Sequence, residues 1–342
     1  DQRSVLAERA DGSALTKLVS LDGGYITSPP VWSPNGAWLA LSAQGGSAQQ
    51  PPDVVAQEIA TGRRHILASG GDPGWSLDST RVAYVTPNGS LSVIGANGTG
   101  PKVIDGPQPG TASTARQCPV WSPDGLYVAA LVSSYPKNAY PNSSRTLSIR
   151  VVRSDGSGVI GQITNVGPSC PTWSPDSQEI AFAQAKQYSA VLTNSELMVA
   201  RADGSGLHEL TGGGYCDGDS TPLWSHDGTR IVFERQVPSD PSSVEPYAPR
   251  CPHQNAGLWT VTPDGTKQVQ VLSHPGSVPT SQAIPTSWSS DDQLISFVDE
   301  VPTNCDGCDS TYVAVVHDDG SGAHRLGTPS DGQSISAWPM IA

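Results

Sequence analysis

The chain has 342 residues, of which 36 are glycine, 30 are proline and only 15% are charged, and 32 acidic against 19 basic side chains give a net charge of −13. Nine tryptophans predict a real core, so the glycine and proline content indicates turns rather than disorder. No apolar run is long enough for a membrane span. The acidic balance without basic clusters argues against nucleic acid as a partner and favours cationic, neutral or metal-bridged ligands.

A tryptophan followed by serine recurs six times, at intervals of roughly 40 to 65 residues. The copies are Trp32-Ser-Pro-Asn-Gly, Trp75-Ser-Leu-Asp, Trp121-Ser-Pro-Asp-Gly, Trp173-Ser-Pro-Asp, Trp224-Ser-His-Asp-Gly and Trp288-Ser-Ser-Asp. Asp or Asn stands three residues after each Trp, and an aliphatic residue stands seven after it. All three phenylalanines fall nine residues after a Trp. Such a register predicts one repeated structural unit.

Each unit is interpreted as four antiparallel strands. The first strand ends at Trp, the Ser-Pro-Asp-Gly segment makes a tight turn, and an alternating strand such as Arg230-Ile-Val-Phe233 follows. A third strand then ends in a turn to the fourth, as in Asp155-Gly-Ser-Gly158 and Asp203-Gly-Ser-Gly206, because Asp-Gly supplies the positive φ of short hairpins. Four strands per repeat predict an all-β fold, a β-propeller, with one blade per repeat.

The two ends of the chain predict how the ring closes. A seventh tryptophan, Trp338, lies near the C-terminus, and residues 9–18 align with residues 201–210, which form a third-strand end, a turn and a fourth strand. We therefore expect seven blades, with the ring closed by N-terminal outer strands beside a C-terminal inner strand. Six blades with tails is the alternative. Residues 1–342 are expected to form a single propeller domain.

The unit Trp-Ser-Pro-Asp-Gly-x-x-Ile-Ala-Phe followed by Asp-Gly-Ser resembles the repeat of TolB-like propellers over essentially the whole chain. It is also similar to the repeats of prolyl oligopeptidase relatives and oligogalacturonate lyases. The nucleophile elbow Gly-x-Ser-x-Gly of the peptidases is absent, which argues against a serine peptidase. The lyase resemblance would imply a metal held by several His and a Gln. Only His253 and His274 lie in loops that could share one face, so that ligand set cannot be carried over.

In a propeller of this type the second-to-third loops and the inter-blade links lie on one face. These loops are long and variable here, at 43–53, 134–145, 184–195, 236–257 and 299–311, and this end is called the long-loop face. The opposite end, with its short uniform turns, is the short-turn face. Function usually resides in long loops on a rigid scaffold. The candidate ligand-binding residues are Tyr135, Tyr140, Tyr188, Tyr215, Asp217, Tyr247, Arg250 and His253.

Acidic side chains near the same face raise the question of a metal. Asp217, Asp219, Asp299, Glu300, Asp306 and Asp309 flank blades five and six. Oxygen ligands suit Ca²⁺, but no loop has the spacing of a calcium-binding loop. We expect no cofactor, with calcium as the alternative, and we expect solvated turns to account for most of these acids.

The six cysteines predict disulfides and export. An even number of cysteines in a turn-rich chain is typical of secreted or periplasmic proteins, and the start at Asp1 rather than Met is typical of a processed form. Cys118 and Cys170 each stand three residues before a repeat Trp. We expect the pairs Cys118–Cys170, Cys216–Cys251 and Cys305–Cys308. A cytosolic protein with reduced thiols is the alternative.

Two functions remain open from the sequence. The first is a secreted or periplasmic, TolB-like binding or scaffold module, a monomer that takes a protein or carbohydrate ligand on its long-loop face. The second is a carbohydrate-active enzyme, a polysaccharide lyase or glycoside hydrolase, with its site at the mouth of the central channel. Acids and arginine converging on the channel would favour the enzyme, and a broad tyrosine-rich surface would favour the binding module.

Overall fold

The computed structural model describes residues 4–11, 13–21, 23–45, 50–107, 111–136, 145–187, 193–212, 217–237, 256–273, 282–302 and 309–331. These residues form strands, turns and connections without any helix, so none of them belongs to a helix that could cross a membrane. The strands form a β-propeller of six antiparallel blades and one separate two-stranded hairpin. The predicted fold class is confirmed, with the lower of the two blade numbers that the sequence allows.

Strand bounds follow the tryptophan repeat. The first three blades comprise β3 (Tyr25–Ile26), β4 (Val31–Trp32), β5 (Trp38–Gln44), β6 (Asp53–Glu58) and β7 (Arg64–Ser69); β8 (Gly71–Trp75), β9 (Arg81–Val85), β10 (Leu91–Gly95) and β11 (Lys102–Asp105); and β12 (Thr111–Trp121), β13 (Tyr127–Pro136), β14 (Thr146–Arg153) and β15 (Val159–Thr164). In blade one the first strand is interrupted, and both β3 and β4 pair with β5.

The next three blades have the same order. They comprise β16 (Thr172–Trp173), β17 (Glu179–Gln187), β18 (Thr193–Arg201) and β19 (His208–Glu209); β20 (Gly218–Trp224), β21 (Ile231–Gln236), β22 (Gly257–Val261) and β23 (Gln268–Ser273); and β24 (Gln282–Trp288), β25 (Leu294–Pro302), β26 (Asp309–His317) and β27 (His324–Asp331). Each blade pairs its strands in sequence order, as expected for consecutive hairpins.

The first strands of neighbouring blades lie against each other and form the inner wall. The indole Nε1 of a repeat Trp donates to a backbone carbonyl of the preceding first strand, in the pairs Trp75–Val31 (3.1 Å), Trp121–Gly74 (3.0 Å), Trp173–Val120 (3.2 Å) and Trp288–Leu223 (3.1 Å). A Cβ at Gly74 would overlap the carbonyl oxygen of Pro119, so this close approach requires glycine there.

The hydrophobic core lies between blades rather than in one central mass. Each buried cluster joins two neighbouring sheets, and the three phenylalanines occupy the same register, with Phe182 between blades three and four, Phe233 between four and five, and Phe297 between five and six. Of the repeat tryptophans, all except Trp224 are buried. Five of the six repeat tryptophans therefore belong to the buried core.

The hairpin of β1 (Ser4–Ala7) and β2 (Thr16–Ser20) lies between blades one and six. Val19 is buried against Trp32 of blade one, and the Leu18 carbonyl accepts a hydrogen bond from Gln57 Nε2 at 2.5 Å. His324 of blade six reaches the Ala10 carbonyl. The hairpin thus occupies the position predicted for N-terminal outer strands. The predicted inner strand around Trp338 lies outside the described residues, so its pairing with the hairpin in a seventh blade is not tested.

Candidate functional site

The short-turn face is held by one repeated hydrogen-bond motif. In every blade the Ser after the repeat Trp donates its hydroxyl to the Asp or Asn two residues later, in the pairs Ser33–Asn35, Ser76–Asp78, Ser122–Asp124, Ser174–Asp176, Ser225–Asp227 and Ser289–Asp291. The same serine oxygen accepts a backbone N–H five residues on, as from Arg81 and Arg230. These residues close the turn that the sequence predicts, which accounts for their recurrence without any ligand.

Eight aspartates in the short turns are stabilised as anions. Hydrogen bonds from Ser or Thr hydroxyls and backbone N–H groups hold the pKa of each of these carboxyls below its ordinary value, in the group Asp11, Asp78, Asp155, Asp203, Asp227, Asp264, Asp291 and Asp319. Seven of them lie in the first-to-second or third-to-fourth turn of a blade, and Asp11 lies in the turn between β1 and β2. The short-turn face is therefore a structural surface.

The long-loop end of the inner strands has the opposite character. Burial raises the pKa of three carboxyls in the described part of the chain, Asp72 on β8, Asp219 on β20 and Glu234 on β21. All three lie in the half of their strand that faces the long loops, since Gly71 pairs with Val85 and Asp219 with Arg235. Shifted carboxyls near a channel mouth are typical of functional sites, although ion-pair networks also produce them.

Asp219 belongs to such an ion-pair network. Arg235 Nε and Nη2 donate to its two carboxylate oxygens at 2.6 and 2.7 Å, and both side chains are buried. The guanidinium also lies 4.6 Å from the Trp259 ring centroid and 5.4 Å from that of Phe233. Burial raises the pKa of Asp219, and the bidentate contact with Arg235 opposes that shift. This pair fixes the geometry of blade five and leaves Arg235 few donors for a ligand.

Asp217 stands beside this pair with one oxygen unused. Its Oδ2 lies 3.9 Å from Arg235 Nη1, whereas its buried Oδ1 has no hydrogen-bond partner. The sequence named Asp217 as a ligand-binding candidate, and the structure places it at the long-loop end of blade five.

Glu234 faces the opposite side of the same blade, toward blade six. Its Oε2 accepts a long hydrogen bond from Ser220 Oγ at 3.3 Å, while its Oε1 is buried without a partner, and the residue is only 2% exposed. Burial raises the pKa of Glu234, and Glu300 adds to the shift, against opposing hydrogen bonds that include the Ala283 backbone N–H. No lysine or arginine of the described residues is among the causes of this shift, so the carboxyl has no counter-charge in that part of the chain.

Asp72 lies on the inner strand of blade two, at a backbone kink with φ 49°. Its backbone N–H donates to Ser42 Oγ of blade one at 3.0 Å. Desolvation is the one cause that raises the pKa of its carboxyl, so nothing in the protein offsets its partial burial. The second and third strands of blade two are joined by a tight turn, in which Thr86 N–H donates to the Ser90 carbonyl, so this blade contributes no long loop beside Asp72.

Four of the described basic side chains near this end are paired with acids. Asp105 accepts hydrogen bonds from both Arg116 (2.7 Å) and Arg150 (3.0 Å) between blades two and three. Lys186 contacts Glu196 at 2.6 Å, and Arg325 contacts Asp299 at 2.6 Å. Asp72 and Glu234 take no part in these pairs, and neither does the exposed Arg145 just before β14.

The remaining predicted site residues divide into two groups. Tyr135 is 42% exposed near the long-loop end of β13, and its role in ligand contact stays a prediction. Tyr140, Tyr188, Tyr215, Tyr247, Arg250 and His253 lie outside the described residues. Asp72 and Glu234 were not among the candidates, and the sequence marks them only as the acidic residues at strand positions where the other blades carry Pro, Cys, a small hydroxyl residue or an aliphatic residue.

One predicted disulfide is confirmed. Cys118 and Cys170 are bonded across the boundary of blades three and four, with their Cα atoms 5.6 Å apart. Both stand three residues before a repeat Trp, so equivalent positions of adjacent inner strands meet there. Cys216, Cys251, Cys305 and Cys308 lie outside the described residues, and their pairing stays a prediction.

The calcium alternative gains no support from the described acids. No three His, Cys, Asp or Glu side chains within the described ranges come together in a way that could hold a metal ion. Asp219 and Asp299, two of the acids considered for calcium, are each engaged by an arginine.

Comparison with known proteins supports the fold. No family model and no curated protein matches the chain. Among solved structures, an oligogalacturonate lyase from Vibrio parahaemolyticus is similar at 14% identity and TM-score 0.67, covering 95% of this chain and 84% of that one. The β-propeller domain of the Trilobed protease from Pyrococcus furiosus is similar at 13% identity and TM-score 0.57, covering 85% and 81%.

A TolB from Acinetobacter baumannii also matches, at 14% identity and TM-score 0.47, over 97% of this chain and 60% of that one. At these identities the likeness is one of fold. The resemblance to TolB-like repeats therefore stands as a propeller resemblance, and neither family nor activity follows from it.

Proposed function

We propose that this chain is an extracytoplasmic β-propeller binding module that takes its ligand at the long-loop end of its inner strands. The observation that carries the proposal is the division of the carboxyls. The carboxyls with a lowered pKa are confined to the turns. The two with a raised pKa and no basic partner are Asp72, on the first strand of blade two, and Glu234, on the second strand of blade five, and both lie near the long loops. The Cys118–Cys170 bond supports an oxidising compartment.

The chemistry of this end favours a ligand that donates hydrogen bonds or carries positive charge. Asp217 Oδ1 and Glu234 Oε1 are buried acceptors without partners, and an unsatisfied buried acceptor carries a desolvation penalty that a donor group would remove. Ammonium, guanidinium and hydroxyl groups all meet this need. A polyanion such as a galacturonate chain is disfavoured, because its carboxylates would be repelled by the acids of this end.

Panel binding tests the proposal. The wild-type protein is passed over immobilised neutral polysaccharides, polygalacturonate and lysine- or arginine-rich peptides, and each hit is repeated with Asp72→Asn, Glu234→Gln and Glu179→Gln. Glu179 lies at the short-turn end of β17, so its variant is the matched control. We expect a hit among neutral or basic ligands that weakens at least tenfold in the first two variants only. A ligand bound equally well by all variants, or by polygalacturonate alone, would overturn the assignment.

A carbohydrate-active enzyme is the second candidate, and Glu234 is the observation that favours it. A buried carboxyl with a raised pKa is what a general acid requires. Incubation of each polysaccharide with the protein, followed by assays for new reducing ends and for unsaturated products, separates the two candidates. Turnover lost in Glu234→Gln while binding persists would establish the enzyme, and binding without turnover would favour the module.

A further inference from the structure

The side chain of His324 joins the last described blade to the N-terminal hairpin. His324 begins β27, and its Nδ1 lies 2.8 Å from the carbonyl oxygen of Gly322 in the preceding turn. Its Nε2 lies 2.9 Å from the carbonyl oxygen of Ala10, which is 314 residues away in the sequence. One imidazole therefore bridges the two ends of the described chain.

The chemistry of these two contacts determines the protonation state. A carbonyl oxygen only accepts hydrogen bonds, so both ring nitrogens must donate for both contacts to form. Only the imidazolium carries a proton on each nitrogen. A neutral ring would leave one of the two carbonyls facing a nitrogen lone pair, and that contact would become repulsive.

The same arrangement occurs at an ordinary blade boundary. In His208 of blade four, Nδ1 lies 3.1 Å from the carbonyl oxygen of Gly206, and Nε2 lies 3.2 Å from the carbonyl oxygen of Pro263 in blade five. Pro263 precedes Asp264-Gly265 in the third-to-fourth turn of that blade, as Ala10 precedes Asp11-Gly12. The hairpin of β1 and β2 thus meets blade six as the outer strands of a next blade would.

The two boundaries differ in what else holds them. Blades four and five are consecutive in the chain and share a buried core that includes Phe233 and Leu210. Among the described residues, no buried hydrophobic cluster joins the hairpin to blade six. The contact of His324 with the hairpin at this boundary therefore contributes directly to closing the ring.

We infer that His324 is a proton-dependent joint, which holds the N-terminal hairpin against blade six when both ring nitrogens are protonated and releases it when one proton is lost. Charged groups on the elements around it are Arg9 and Asp11 on the hairpin, and His317, Asp319 and Arg325 on blade six. The imidazole pairs with none of these and contacts the two carbonyls instead.

The carbonyls of Gly322 and Ala10 raise the pKa of His324 above its ordinary value of 6.5, against a small opposing effect of burial. Because the folded pKa is the higher one, the stabilisation is fully present below pH 6.5 and is lost as the pH rises through the folded value. Each unit of pKa elevation corresponds to about a tenfold change in the closing equilibrium.

Hydrogen exchange of the β1–β2 amides from about pH 5 to about pH 8 tests the joint, after correction for the intrinsic pH dependence of exchange. In the wild-type protein we expect protection of the hairpin to fall several-fold across the upper part of this range. His324→Gln, which can donate a hydrogen bond but does not titrate, should remove that pH step. His208→Gln is the matched control and should leave the step at the hairpin unchanged.

Three results would overturn the inference. They are wild-type protection that is independent of pH, a step that survives in His324→Gln, or a step that disappears in His208→Gln. Ring ¹⁵N shifts of His324 in the intact protein provide a second measurement that needs no variant. Two protonated nitrogens are expected at low pH, with a titration midpoint above 6.5, and a single protonated nitrogen throughout would equally reject the joint.

Discussion

The guanidinium of Arg81 lies over the ring of Trp121 in the next blade, 4.4 Å from the ring centroid. Arg81 stands six residues after Trp75, the repeat Trp of its own blade. Residues at the same position in two other blades make a similar contact with the Trp of the following blade. Tyr127 stacks on Trp173 at 6.2 Å between centroids, and Arg230 lies 5.1 Å from the Trp288 centroid. In blade four this position is Glu179, which makes no such stack, and the facing Trp224 is the partly exposed one whose Nε1 lacks a partner.

Replacing Arg81 by Ala should destabilise the protein by about 1–2 kcal/mol. The change removes the stack on Trp121 and the hydrogen bond from Nη2 to the Gly125 carbonyl at 3.0 Å. Urea unfolding measures the difference, and Arg81→Lys should recover part of it. Glu179→Ala at the equivalent position is the control and should stay near the wild-type midpoint. Equal stability of Arg81→Ala and wild type would show that the stack contributes nothing.

Trp173→Ala should cost roughly 3–5 kcal/mol, because a buried indole between blades three and four is replaced by a cavity. Trp173→Phe keeps most of the packing but loses the hydrogen bond from Nε1 to the Val120 carbonyl, so it should cost about 1 kcal/mol. Denaturant unfolding distinguishes the two losses. If instead Trp173→Ala loses ligand binding at unchanged stability, the packing role is wrong.

Glu234→Gln should increase stability at neutral pH. A carboxyl whose folded pKa is raised stabilises the fold in its protonated form, so that contribution is present below the ordinary value of 4.5 and is lost as the pH rises through the folded value. Glutamine cannot ionise and avoids the loss. The difference in melting temperature between pH 4 and pH 7 should therefore be smaller in the variant than in wild type. A variant less stable than wild type at pH 7 would contradict the account of Glu234 as an unpaired carboxyl.

Deletion of residues 1–20 should lower the melting temperature through a single cooperative transition. The deletion removes β1 and β2, exposes Trp32 where Val19 covers it, and takes away the acceptor for Gln57 Nε2. An open end of the ring also exposes a strand edge. A shortened protein that melts with the wild type would show that the hairpin does not contribute to closure.

Peptide mapping under non-reducing conditions checks the two disulfides that lie outside the described residues. We expect Cys216–Cys251 and Cys305–Cys308. The first would close a long, proline-rich loop of the long-loop face and restrict the unfolded chain by roughly 3–4 kcal/mol in the entropy model. The confirmed Cys118–Cys170 peptide provides the internal standard. A free thiol at 216 or 251, or either one joined to another cysteine, would reject the first pairing.

The fold could be predicted from the repeat because the hydrogen bonds that define each turn are local. Ser122 and Asp124 are two residues apart and close their own turn, so the motif predicts the turn wherever it occurs. The alternation after each turn predicts the second strand for the same reason. Even the Cys118–Cys170 bond followed from register, since both residues stand three before a repeat Trp.

Hydrogen bonds between the turns of neighbouring blades could not be predicted from these local motifs. Ser177 adopts a positive φ of 63° and its Oγ accepts the backbone N–H of Asp124 in the preceding blade at 2.9 Å. In the sequence Ser177 is only a polar substitute for the glycine found at this position in Trp121-Ser-Pro-Asp-Gly125. Its partner is 53 residues away, and nothing local identifies that contact.

The candidate site was predictable as a face and not as a set of residues. Loop lengths along the chain determined which end of the propeller carries the long loops, because each strand reverses direction. Asp72 and Glu234 became candidates only in the folded protein, because loss of solvent and lack of a counter-charge depend on residues from neighbouring blades. The sequence determined the turns, the strands and the face, since those follow from contacts a few residues apart. Only the tertiary structure decided which carboxyls are buried without a partner, since burial is produced by the whole ring.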